Sequence, residues 1–166
     1  LSFSSANIGG GIVRALFGLV GIQESTFSEN SVSSTNCLLG GLIVGESVII
    51  DTSMFASNSL QISDQCSVGG GSAIFSRSLL KSSTSTFNDN SVVVNPQSNP
   101  FVGLGGAVLL FGVGKFSGCI FSGNSLSGFS GESQEGMGGA VAALDSDAVT
   151  MFNCSFISNN LNTPSS

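Results

Sequence analysis

Two short motifs alternate along this chain, five times each, and the alternation leaves few folds open. One is Phe-x-x-Asn: Phe27 with Asn30, Phe55 with Asn58, Phe87 with Asn90, Phe121 with Asn124, and Phe156 with Asn159. Successive phenylalanines are 28, 32, 34 and 35 residues apart, and a looser version, Phe3 and Asn7, precedes them. The other is a pair of small residues before a short apolar run. It reads Gly10-Gly11-Ile12-Val13, Gly40-Gly41-Leu42-Ile43, Gly71-Ser72-Ala73-Ile74, Gly105-Gly106-Ala107-Val108 and Gly138-Gly139-Ala140-Val141. From the second small residue to the next Phe there are always 14 to 17 residues, whereas the return from Asn to the next pair varies. Each repeat therefore has a fixed part and a variable loop, the signature of a repeat architecture.

Inside the fixed part, residues alternate in polarity. In Phe152-Asn153-Cys154-Ser155-Phe156 every second position is apolar or Cys, the period of a half-buried strand. No stretch carries a helical period with caps. Repeats of this length made of short strands read as rungs of a solenoid. The expectation is an all-β parallel β-helix, one domain over residues 1–166, of five to six turns of roughly 28–35 residues. With strands ~4.8 Å apart, the rod would be about 25–30 Å long. Like residues then stack on like. Phe27, Phe55, Phe87, Phe121 and Phe156 become an internal aromatic ladder. Asn30, Asn58, Asn90, Asn124 and Asn159 become an amide ladder at a turn, where each side chain can satisfy its neighbours. Two residues before each Phe stands a small residue: Ser25, Ser53, Ser85, Cys119 or Cys154.

Composition narrows the function. Charged residues make up 8% of the chain, with four basic residues against ten acidic ones. Nucleic-acid binding, which needs a basic surface, is excluded on that ground. The absence of His removes Ser-His-Asp and Cys-His catalysis and any imidazole metal site. A mean hydropathy of +0.42 argues against disorder. The most apolar stretch, residues 8–22, is too short for a bilayer span and carries Arg14, so it reads as part of the fold.

The Gly-Gly-Ala-Val and Phe-x-x-Asn motifs resemble the repeats of chlamydial polymorphic outer membrane proteins, over nearly the whole chain from about residue 7 to residue 159. Gly105-Gly106-Ala107-Val108 and Gly138-Gly139-Ala140-Val141 lie closest to the pattern, and Gly71-Ser72-Ala73-Ile74 departs at its second position. The resemblance implies a right-handed parallel β-helix, an extracellular or cell-surface location, and adhesive or structural work without catalysis.

Four cysteines in a Ser-rich, charge-poor chain suit an extracellular compartment. Cys37 and Cys66 lie in equivalent loops of adjacent turns and are candidates for a disulfide. Cys119 and Cys154 are column mates, placed for a disulfide or for a stack of buried thiols. Asn153-Cys154-Ser155 is the one glycosylation sequon, with Asn153 facing out by alternation. Asp145 and Asp147 lack the repeating context of a calcium-binding β-roll, and no metal or cofactor is expected.

The expected function is a non-enzymatic structural or adhesive surface module. The chain starts at Leu1 without an initiator Met, as expected of a fragment of a longer surface protein or one subunit of an assembly. Partners are expected to be further copies or neighbouring domains, met through the solenoid ends and through apolar loops such as Val92-Val93-Val94 and Phe101-Val102-Gly103-Leu104. Surface glycans are the other expected partner class. The alternative is a polysaccharide-active or carbohydrate-binding β-helix; against it, no basic residue is obviously placed beside the acidic pairs, and there is no Trp or Tyr platform.

Overall fold

A computed structural model of the chain describes residues 2–4, 13–34, 41–63, 68–95, 101–128 and 134–162. The described residues are all-β, and all their strand pairings are parallel. The chain is a parallel β-helix whose described strands form four sheets, of five, five, six and three strands.

The long face holds Val13–Gln23, Ile43–Asp51, Ile74–Ser83, Val108–Ser117 and Val141–Phe152. The aromatic face follows, with Thr26–Ser28, Met54–Ala56, Thr86–Asn88, Ile120–Ser122 and Ser155–Ile157. The third face has six strands: Ser2–Ser4, Ser31–Ser34, Ser59–Ser63, Ser91–Asn95, Ser125–Ser127 and Asn160–Leu161. Val68–Gly70, Phe101–Leu104 and Gln134–Met137 form a closing sheet that returns the chain to the long face. Two of the sheets have five strands, which are separated by four turns, so the solenoid makes about four turns rather than the five to six expected from motif counting.

The corners explain why strands so short can exist. Each rung turns into the aromatic face through a residue of positive φ: Glu24, Thr52, Thr84, Gly118 and Asn153. It turns out again through Glu29, Ser57, Asp89, Gly123 and Ser158, all of positive φ as well. Such corners do not interrupt the inter-rung ladder, because the corner amides bond to the next rung: Thr52 to the Ser83 carbonyl at 3.0 Å and Thr84 to that of Ser117 at 2.8 Å. Buried backbone groups thus stay paired through the turn.

The third corner, entering the long face, is where the small-residue pairs lie. A Cβ on Gly106 would fall 2.0 Å from the Gly139 carbonyl oxygen, so this approach of two backbones requires glycine. Ser72, the one departure in this column, is fully buried and donates its hydroxyl to the Gly106 carbonyl.

The solenoid interior is a continuous apolar column containing Phe55, Phe87, Phe121, Ile43, Ile74, Val48, Ile50, Leu60 and Leu126. The start of the long strands is buried on both sides: Val44, Phe75, Leu109 and Ala142 pack outside the solenoid wall with Leu104. Midway, the register between rungs slips at Glu46, at Arg77 and Ser78, and around Gly112, a line of bulges that bends the long face.

One expectation changes here. The two apolar segments lie in strands, Ser91–Asn95 of the third face and Phe101–Leu104 of the closing sheet, rather than in loops; Val92, Val94 and Leu104 are buried and Val93 is exposed. Phe3, of the looser motif, pairs with Val32 on the third face.

Candidate functional site

The Phe column stacks. Ring centroids are 5.0 Å apart for Phe27 and Phe55, 5.2 Å for Phe55 and Phe87, and 4.8 Å for both Phe87–Phe121 and Phe121–Phe156. Interplanar angles stay between 2° and 9°. The rings are held face to face by the rung spacing, and the full burial of Phe55, Phe87 and Phe121 contributes about 1.5–3 kcal/mol each.

Asn side chains run alongside in a ladder. The amide nitrogens of Asn30, Asn58, Asn90 and Asn124 donate to the side-chain oxygen of the next Asn, at 3.0, 2.8, 3.0 and 2.9 Å. From Asn58 to Asn159 the second amide hydrogen goes back to the carbonyl of the preceding rung's Phe, at 2.9 to 3.0 Å. Each receiving oxygen also takes the backbone N–H of the previous Asn. Asn58, Asn90 and Asn124 are fully buried and fully paired. The inner members of the two columns, Phe55, Phe87, Phe121, Asn58, Asn90 and Asn124, are fully buried, with nothing left over to meet a ligand.

A third ladder lies two residues before the Phe. The hydroxyls of Ser25, Ser53 and Ser85 each donate to the carbonyl two residues earlier, at 2.7 to 2.8 Å. In turn the amides of Ser25 and Ser53 donate to the hydroxyl of the next rung, at 3.1 and 3.2 Å. Cys119 and Cys154 continue the column with sulfur. Their thiols contact the carbonyls of Ser117 and Phe152 at 3.6 and 3.4 Å, and Cys119 also reaches Ser82. Both are free thiols, so the Cys119–Cys154 disulfide is not formed. The physical reason is direction: each sulfur turns along its own strand to the carbonyl two residues back, not across to the other rung. Cys37 and Cys66 lie outside the described residues.

Asn153 is exposed at a corner with φ of 51°. Asp145, with φ of 45°, sits in the bulge of the last long strand. Among the described residues no three of His, Cys, Asp and Glu lie close enough together to hold a metal ion. No helix among them is long and apolar enough to cross a membrane.

Exposed apolar side chains concentrate at the last rung. Val149, Met151, Phe156 and Leu161 belong to inward columns but are 38%, 42%, 48% and 36% exposed. Their partners one rung earlier, Gly114, Phe116, Phe121 and Leu126, are buried.

Sequence reading also missed a pair of cations. Lys81 and Lys115 are register partners on the outer side of the long face, with Ile49 below them and Thr150 above. The signal was available: each stands six residues before a ladder Phe, at Phe87 and Phe121. Only the fixed spacing of the repeat turns that offset into contact.

No family model, no curated protein and no solved structure matches the chain.

Proposed function

We propose that this chain is a non-enzymatic extracellular module, a length of β-helical rod that serves as a structural or adhesive part of a fibre, stalk or larger surface protein. This is the role implied by its resemblance to polymorphic outer membrane protein repeats. The observation that carries the reading is the last rung. Val149, Met151, Phe156 and Leu161 continue four interior columns but stand partly exposed, and the strand edges beside them offer unpaired backbone groups. A surface of that kind is complementary to one thing above all, another rung with the same columns, from a second copy or from more of the same surface protein. The lack of His and the scatter of the acidic residues weigh against catalysis. The exposure of Asn153 suits a glycan attached at its sequon.

The test is negative-stain imaging of native material together with mass measured under non-reducing conditions. Fibres or rods built from repeated copies, or a longer polypeptide continuing the repeat, are the expected result. Discrete monomers of 16.7 kDa that remain so on concentration would overturn the rod reading.

A further inference from the structure

The outer side of the long face carries a groove of about 500 Å³, bounded by Lys81, Lys115, Ser117, Thr150 and Phe152. Two columns of the sheet build it. One runs Ile49, Lys81, Lys115, Thr150; the other runs Asp51, Ser83, Ser117, Phe152. Both are outward columns, so the groove crosses the strands and runs along the solenoid axis. It is independent of whatever covers the last rung, since Phe152 faces sideways and is 71% exposed.

The lysine pair calls for an explanation. The chain has a net charge of −6 and only four basic residues, yet two of these are neighbours at one inter-strand spacing. Like charges directly opposite each other on a sheet destabilise it. The usual remedy is an intervening carboxylate. Among the described residues the one ion pair is Arg77 with Glu46, at 3.8 Å. Asp51 is the acid nearest along the groove, and its carboxylate takes the Ser83 hydroxyl instead. Both ammonium groups are exposed, and among the described residues no carboxylate lies within ion-pairing distance of either.

The rest of the lining says what kind of anion fits. Phe152 adds an exposed apolar ring to the lining, and the exposed Ser117 and Thr150, its register partner and that of Lys115, add hydroxyls. Cations, an aromatic face and hydroxyls along an open axial groove match a polymer that alternates acid groups with C–H faces and hydroxyls. We infer that this groove binds a linear anionic polysaccharide. Lys81 and Lys115 hold its carboxylate or sulfate groups through charge-assisted hydrogen bonds. Phe152 carries a sugar ring, and Ser117 and Thr150 bond to its hydroxyls. The inference deepens the adhesive side of the surface-module reading and rests on it only for where such a polymer would be met.

The experiment is calorimetric titration of the full chain with polygalacturonate oligosaccharides, heparin fragments, neutral dextran and poly-glutamate, at low and at high salt. Expected is binding of at least one anionic saccharide, weakened by salt, with none to dextran and weaker binding to poly-glutamate. Preference for polygalacturonate assigns the site to carboxylates and preference for heparin to sulfates; either supports the inference. The double variant Lys81→Gln/Lys115→Gln should lose about tenfold or more in affinity. The charge-matched control Arg14→Gln/Arg77→Gln should change it by less than about twofold. Phe152→Ser should weaken saccharide binding without altering salt dependence. Because the lysines are exposed and repel each other, the double lysine variant should unfold at an unchanged or higher denaturant midpoint, which separates lost binding from lost folding. Equal losses in the lysine and arginine pairs, poly-glutamate binding as tight as any saccharide, or no anionic saccharide bound would each overturn the inference. Imaging of the unsubstituted chain beside the titration separates the two readings: rods that bind no anionic saccharide sink the inference and spare the rod, whereas a chain that binds saccharide but never assembles does the reverse.

Discussion

Asn90 shows how much one residue can hold. Its side-chain oxygen receives both the backbone N–H and the side-chain amide of Asn58, while its own amide serves the Phe55 carbonyl and Asn124. Asn90→Ala strands three polar groups, the Asn58 backbone N–H, one Asn58 amide hydrogen and the Phe55 carbonyl, in a site with no solvent access, while the Asn124 oxygen keeps the backbone N–H of residue 90; unsatisfied buried groups cost about 1–3 kcal/mol each before relaxation. A loss of about 3 kcal/mol or more is expected by chemical denaturation. Asn159→Ala, in the half-buried last rung, should cost about 1 kcal/mol, since water can replace its bonds there. Equal losses would mean that the ladder is not what stabilises the corner. The sulfur column gives a second test at this scale. Cys119 is buried and Cys154 partly exposed, so native-state alkylation followed by peptide mapping should label Cys154 readily. Cys119 should be labelled only after unfolding. A Cys119–Cys154 crosslink in the native protein would contradict the geometry.

At the scale of the element, the corners set the rules. Thr84 is a β-branched residue held at φ of 48°, where Gly118 occupies the same corner one rung later. Left-handed backbone costs an ordinary residue about 1–2 kcal/mol, partly offset by the chain entropy that glycine loses on folding. Thr84→Gly should therefore gain up to about 1 kcal/mol. Gly106→Ala has the opposite sign. Its Cβ would meet the Gly139 and Ser125 carbonyl oxygens at 2.0 and 2.6 Å, backbone atoms of two neighbouring segments that cannot move aside alone. A cost above about 2 kcal/mol is expected, read from the same denaturation curves. The corner columns were legible in the chain because the distance from small-residue pair to Phe to Asn is nearly constant, so that one residue per rung falls at each place. The return path was not legible. Val92 and Val94 looked like part of an apolar loop because Val93, which faces out between them, is apolar too, so the strand shows no alternation in its residue types. Lys81 and Lys115 were hidden differently: cations 34 residues apart become neighbours only when the pitch of the repeat is applied to outward positions as well as inward ones.

For the whole molecule, stability is a sum over rung-to-rung contacts, so the rungs are unequal. Inner rungs are covered on both sides. The last is covered on one, and Phe156 and Leu161 there are partly wet where Phe121 and Leu126 are dry. Hydrogen exchange should be slowest through residues 74–94 and 104–126 and fastest from residue 155 onward in isolated chains. Assembly through the last rung would change that profile, because a further rung would cover the same side chains and pair the free strand edge. Protection of residues 155–161 should then rise with protein concentration, while protection of the inner rungs stays constant. Leu161→Lys with Val149→Lys places two charges in the contact, and burying them in an apolar stack is costly. That variant should keep inner-rung protection and abolish the concentration dependence. Concentration-dependent protection that survives both lysines would move the contact elsewhere, and the long face around Phe17 and Leu19, exposed by 86% and 61%, is the next surface to charge.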